Sequence, residues 1–165
     1  MRLNRSALLH FVDATPSGTT RKWFKIGKDV EDMSIDLNAD IQTVKNILDE
    51  TSVTNMGYEP SVVVDTYYAD PDDDFYDFVL DIALGRKNGD ACKTKVLEVV
   101  IENTTDTSHL AYQEDVIVEV TSYGGPQGGI SIPYTVHFAG NRTKGTVAFT
   151  SGVPTFTADS TSSGG

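Results

Sequence analysis

A mostly β fold, a β-sandwich or barrel with one flanking α-helix and a long extended arm or hairpin, is predicted by three observations. Several segments alternate apolar and polar residues with a period of two, as strands with one buried face do. Only one stretch, 71–85, combines apolar residues at helical spacing with marked ends. A third, 38–60, holds neither period cleanly and is too long for an idle connection, since connections of this length inside a domain carry a task such as binding.

In chain order, weaker alternation predicts strands at 7–12 and 22–26. Residues 33–38 read as a strand with Met33, Ile35 and Leu37 on one face and Ser34, Asp36 and Asn38 on the other. In the arm, Ile41, Val44, Ile47 and Leu48 approach helical spacing, yet Thr43, Val44, Thr51, Val53 and Thr54 favour strand. An extended arm or hairpin with its tip at Leu48-Asp49-Glu50-Thr51 reconciles the two. A strand at 62–68 follows, then the helix: Asp70 as N-cap, Pro71 in the first helical position, and Asp72, Asp73 and Asp74 at the positive end of the dipole. Phe75, Phe78, Val79 and Ile82 form its core-facing stripe, Gly85 closes it, and Asn88-Gly89 turns the chain. Strands are predicted again at 96–102, 116–121, 130–138 and 146–150. Pro133 points to an edge for the 130–138 strand, because proline donates nothing to a ladder.

The 165 residues suit a single domain, here 1–157, with 158–165 expected as a flexible Ser/Gly tail. No stretch nears the roughly 18 apolar residues of a bilayer span, so no membrane role is expected. Lys plus Arg number 13 against 24 Asp plus Glu, a net charge of -11, which argues against a protein that wraps nucleic acid. The amino terminus has no signal-peptide pattern, and the single Cys92 fits a reducing compartment. Basic residues up to Val30 (Arg2, Arg5, Arg21, Lys22, Lys25, Lys28) contrast with 46–85, which has no Lys or Arg. These patches either pair within the chain or join one copy to another.

No enzymatic constellation emerges. Asp70, Asp72, Asp74 and Asp81 mimic part of a calcium loop, but Phe75 stands where its glycine is required and a helix begins where the loop should continue. His10, His109 and His137 lack metal spacing, and His137 belongs to a strand's polar face. Cys92 has only Lys93 as a local basic partner. The glycine-rich 124–129 run precedes a strand and lacks the Lys-Ser/Thr of a phosphate loop, so it reads as a hairpin connection. Sequon matches at Asn4, Asn103 and Asn141 are chance without a secretory signal. No cofactor and no metal are expected.

The order of parts resembles a known family. It runs Ala7-Leu8-Leu9-His10-Phe11-Val12-Asp13, Lys25-Ile26-Gly27-Lys28-Asp29, the 33–38 strand, Lys45-Asn46-Ile47-Leu48-Asp49-Glu50-Thr51, Gly57-Tyr58-Glu59-Pro60, and Val64-Asp65-Thr66-Tyr67-Tyr68-Ala69-Asp70-Pro71-Asp72-Asp73 before the helix. Over 7–149 this is similar to the major tail tube proteins of long-tailed, siphovirus-type phages and prophages of Gram-positive bacteria. The resemblance implies a structural protein, not an enzyme, made in the bacterial host cytoplasm and located in the virion tail. It implies hexameric rings stacked into a tube for DNA ejection, with tape-measure and tail terminator or tail-tip proteins as partners. Ile41, Val44, Ile47, Leu48, Glu50 and Val53 would then be the inter-subunit arm. DNA sliding through without binding favours carboxylates on the lumen; Asp36 and Glu119, then Glu114 and Asp65, are the candidates. The alternatives are the inner tube of a contractile tail or secretion machine, and a monomeric β-sandwich binding module, for which Trp23 is the sole tryptophan.

Overall fold

The structure, a computed structural model, describes residues 1–160. After a 3-10 turn at Arg5–Ala7, strands β1 (Leu8–Asp13) and β2 (Trp23–Ile26) pair, and β3 (Ala39–Lys45) and β4 (Thr51–Tyr58) form a separate hairpin. Then come β5 (Ser61–Val64), helix α1 (Asp74–Gly85), a 3-10 turn at Gly89–Cys92, β6 (Lys93–Val100), β7 (His109–Val120), β8 (Tyr134–Thr150) and β9 (Val153–Ala158). The main sheet runs β2-β1-β6-β7-β8-β5, with β9 beside the later half of β8, and every pairing is antiparallel. It curls into a half-barrel flanked by α1, which is the mostly β fold with one helix that the alternation predicts.

Period two puts apolar residues on opposite sheet faces in different regions, and two cores result. On one face Val12, Val64, Val96, Val116, Val118, Tyr134 and Val136 meet Phe75, Val79 and Ile82 of α1. On the other, Phe11, Leu97, Val99, Ala111 and Val147 pack with Trp23, Phe149 and Phe156. The 17-residue β8 serves both by bending at Gly140 (φ 105°) and Asn141 (φ 56°), where its register with β7 shifts. Such a bulge bends the strand and re-aims its side chains. At Gly145 a Cβ would strike the Thr157 carbonyl and the Phe156 ring, so only glycine lets β9 lie this close.

Several boundaries move. Residues 33–38 form no strand: only Asp36 bridges, to Ser61, and Leu37 is exposed rather than buried with Met33. Three polar or acidic residues in six leave too few apolar contacts for a full ladder. The helix begins at Asp74, not Pro71. Asp70 heads a tight turn instead, with Pro71 second, the Asp73 amide donating to the Asp70 carbonyl (2.9 Å) and the Asp72 amide to its Oδ1 (3.1 Å). Proline is favoured at that turn position, and a turn satisfies the backbone before the helix takes over. The left-handed residue at the far end is Arg86 (φ 50°), one beyond Gly85. Of the expected core stripe, Phe75, Val79 and Ile82 are buried and Phe78 is half-buried.

Pro133 precedes β8 rather than sitting in an edge strand; its carbonyl accepts from the Thr121 amide and hydroxyl (both 3.1 Å). Sequence periodicity misses β9 altogether, because 153–158 shows only one large apolar residue facing inward, Phe156. Ala158, assigned to the tail, closes this strand, and 161–165 lie outside the described residues. The opposite charges meet partly within the chain: Lys22 pairs with Asp74 (3.2 Å) and Lys28 with Asp70 (3.5 Å), tying the β2 region to the start of α1.

Candidate functional site: an uncovered arm and the cleft at its base

The arm is the two-stranded hairpin β3–β4. Every residue in it is exposed except half-buried Gly57. Register pairs Ile41 with Asn55, Thr43 with Val53 and Val44 with Ser52, so Ile41 and Val53 share one face and Val44 the other. Both faces therefore carry uncovered apolar side chains. The tip is built around Asn46, whose Oδ1 accepts from the amides of Leu48 (2.8 Å) and Glu50 (3.1 Å) and whose Nδ2 donates to Glu50 Oε2 (2.8 Å). Asp49 adopts φ 61°, a conformation that Asx residues tolerate. The result holds Ile47 and Leu48 outward, 100% and 72% exposed.

At the arm's base, Tyr58 and Pro60 face Leu8, Met33, Ile35, Leu37 and Phe138 across a cleft of about 720 Å³. Its floor is a charge network. Arg142 donates to Glu98 Oε1 (2.7 Å) and to Glu114 Oε1 (3.0 Å), and its guanidinium lies over the Tyr112 ring (4.4 Å). His10, 4% exposed, sits 3.3 Å from Glu98 Oε2. Burial pushes the Glu98 carboxyl pKa up, but hydrogen bonds from His10 and Arg142 and the Arg142 charge outweigh it and hold the group below the usual carboxylate range. The Arg142 pKa moves up: burial acts downward, and the bonds to Glu98 and Glu114 prevail. The β8 bend aims Arg142 here, with the Gly140 amide donating to Glu114 Oε2 (3.3 Å).

The lumen candidates separate. Asp36 bridges Ser61, Ser61 pairs with His137 and His137 with Ile117, so these residues form one row across neighbouring strands. Glu119, two residues beyond Ile117, shares that face and lies 2.8 Å from His137 Nε2, both side chains exposed. Asp36 and Glu119 thus occupy one face, opposite the core packed on α1. Asp65 is exposed elsewhere, around a shallow cleft that also gathers Asp29, Glu31 and Asp32, companions that nothing in the local sequence marks. Glu114 is 7% exposed on the helix-side face and presents no free carboxylate to any surface, because it is committed to Arg142. Among the described residues no group of three or more His, Cys, Asp or Glu could hold a metal ion, and no helix is long and apolar enough to cross a membrane. Burial raises the Cys92 thiol pKa, which disfavours the nucleophilic thiolate.

A curled antiparallel sheet, one flanking helix and a projecting hairpin define the class of fold, that of tail tube proteins. Solved structures share it, two of them as follows. One is a chain from the tail of an empty GTA particle, obtained by helical refinement with C6 symmetry: 17% identity, TM-score 0.56, 86% of this chain and 98% of that one. The other is the SPP1 tail tube, solved by solid-state NMR and cryo-EM: 14% identity, TM-score 0.58, 87% of this chain and 78% of that one. No protein-family model and no curated protein sequence matches.

Proposed function

We propose that this chain is the subunit of a virion tail tube, assembling as hexameric rings that stack into a conduit for DNA ejection. The observation that carries the reading is the hairpin β3–β4, which has apolar side chains on both faces that nothing among the described residues covers. An isolated two-stranded hairpin is marginal in water, and exposed apolar surface of this kind marks an interaction site. An arm that packs on a different patch of an identical neighbour makes a head-to-tail contact, which closes into rings or runs on as a helix. The C6 symmetry of the GTA tail, whose fold this chain shares, supports six copies per ring.

The chain's task is structural, and its inter-subunit residues are Ile41, Val44, Ile47, Leu48, Glu50 and Val53. Asp36 and Glu119, on one face, and Asp65 beside three further carboxylates line the DNA path, where like charge removes the phosphate attraction that would stall the strand. Tape-measure and terminator or tail-tip proteins meet the tube at its bore and ends. Negative-stain microscopy of the purified protein tests the reading: rods or rings are expected, and isolated particles at every concentration would refute it in favour of a monomeric module.

A further inference from the structure

We propose that the cleft at the base of the arm receives the hairpin tip of a second copy of this chain, with Glu50 of the incoming tip paired to Arg5 and with Ile47 and Leu48 seated against Leu8, Leu37 and Phe138. This names the receiving surface for the arm and so rests on the tube reading above.

The cleft is open where it is apolar, and the charges on its floor are satisfied. His10, Glu98, Glu114 and Arg142 answer one another on its floor, and no buried side-chain polar atom among the described residues lacks a partner. Leu37 and Tyr58 at its rim are 57% and 58% exposed. What the walls lack is an apolar occupant. The tip offers one in a defined shape, since the Asn46 bonds close the turn and present Ile47 and Leu48 outward.

Charge selects the orientation. The Arg5 guanidinium is held at the cleft wall by the carbonyls of Leu8 (2.8 Å) and Met33 (3.2 Å), and among the described residues it forms no ion pair. Among the described residues, Glu50 at the tip is held only by Asn46 and the turn. A positioned cation without a carboxylate and an exposed carboxylate without a cation are complementary across an interface.

The occupant cannot be the chain's own tip. Tyr58 lines the cleft, and Lys45 lies six residues along the paired strand from Ala39, about 20 Å away at the rise of a β-strand. Tip and cleft sit at opposite ends of the hairpin, so the contact is between copies and head to tail.

Charge reversal tests the pairing. Arg5→Glu and Glu50→Arg, made singly, are each expected to raise the critical concentration for assembly at least about tenfold, read by sedimentation, and the double variant to recover most of the loss. Single variants that assemble at the wild-type concentration, or a double variant no better than either single one, overturn the proposal while leaving the tube reading intact. Arg5→Glu also removes two backbone contacts and Glu50→Arg the bond from Asn46, so a second measurement avoids both. Leu8→Cys and Leu48→Cys proteins, mixed and oxidised, are expected to give a covalent dimer containing one of each; buried Cys92 stays inert. Absence of that mixed dimer overturns the proposal, and its presence supports it even if wild-type protein forms no rods, the result that would count against the tube reading alone.

Discussion

Replacing Phe75 by alanine removes the centre of the aromatic cluster that anchors α1. The side chain is fully buried, and four rings surround it: Phe24 at 5.2 Å, Tyr134 at 5.2 Å, Tyr67 at 5.7 Å and Phe78 at 5.8 Å between centroids. Phe→Ala in a core costs about 3 to 5 kcal/mol, and the upper end applies where stiff neighbours cannot collapse into the cavity. Rings on several elements, Phe24 on β2, Tyr134 on β8 and Phe78 on α1, are such neighbours, and each aromatic pair adds about 0.5 to 1.5 kcal/mol beyond area. A loss of about 4 to 5 kcal/mol follows, a large part of the roughly 5 to 15 kcal/mol typical of a domain. At about 2 to 4 °C per kcal/mol for this size, the midpoint falls by roughly 10 to 20 °C. Phe78→Ala is the control: half-buried, with Phe75 as its one ring partner, it should cost about half as much. Urea titration followed by fluorescence of Trp23, the sole tryptophan, reads both, because that residue packs in the other core and reports global unfolding. A Phe75→Ala cost below about 2 kcal/mol, or one equal to that of Phe78→Ala, would mean that α1 is not held by this cluster.

Amides of 39–58 should exchange fast in the monomer, because the hairpin bonds are open to solvent, and slowly in assembled protein; equal rates in both states would remove the arm from the interface. Deleting 47–50 should abolish sedimenting polymer at unchanged circular dichroism, and normal rods from that variant would do the same. Glu98 gives a pH dependence of definite sign. Its pKa is lowered in the folded state, so its contribution is complete above the unfolded value near 4.3 and is lost as pH falls through the folded one. Glu98→Gln should therefore be less stable than wild type at pH 7 and flatten the stability profile below about pH 4.3, and parallel profiles would contradict the network. Asp36→Lys with Glu119→Lys should permit assembly yet make empty tubes bind DNA at low salt, and tubes indifferent to added DNA would place that face away from the bore.

Local patterns reached most of the elements. Alternation located the strands around Val96, Val116 and Val136, since a side-chain period of two is a property of the backbone and needs no partner to be read. The stripe of Phe75, Val79 and Ile82 marked the buried face of α1 in the same way, and the long stretch between Asn38 and Pro60, fitting no core pattern, was legible as an arm that the domain does not cover. Where the residues carry several local options, the boundary was lost: Asp70-Pro71-Asp72-Asp73 serves a turn as well as a cap, and the turn is what forms.

The rest was settled by register and by the bend of one strand, which join residues far apart in the chain. Glu114 and Glu119 look alike in sequence, five residues apart on β7, yet one is buried against Arg142 and the other is exposed beside His137. Alternation names the polar face of a strand and says nothing of what lies over it. That was decided when β8 kinked at Gly140 and Asn141, turning Arg142 onto Glu114 and Glu98, and when the single bridge from Asp36 to Ser61 set that carboxylate in the row of His137. The cleft at the arm's base has walls from the Arg5–Ala7 turn, β1, the 33–37 segment, the end of β4 and β8, over a floor that draws on β6 and β7. No stretch of sequence contains it, because it exists only once those pieces are brought to one place.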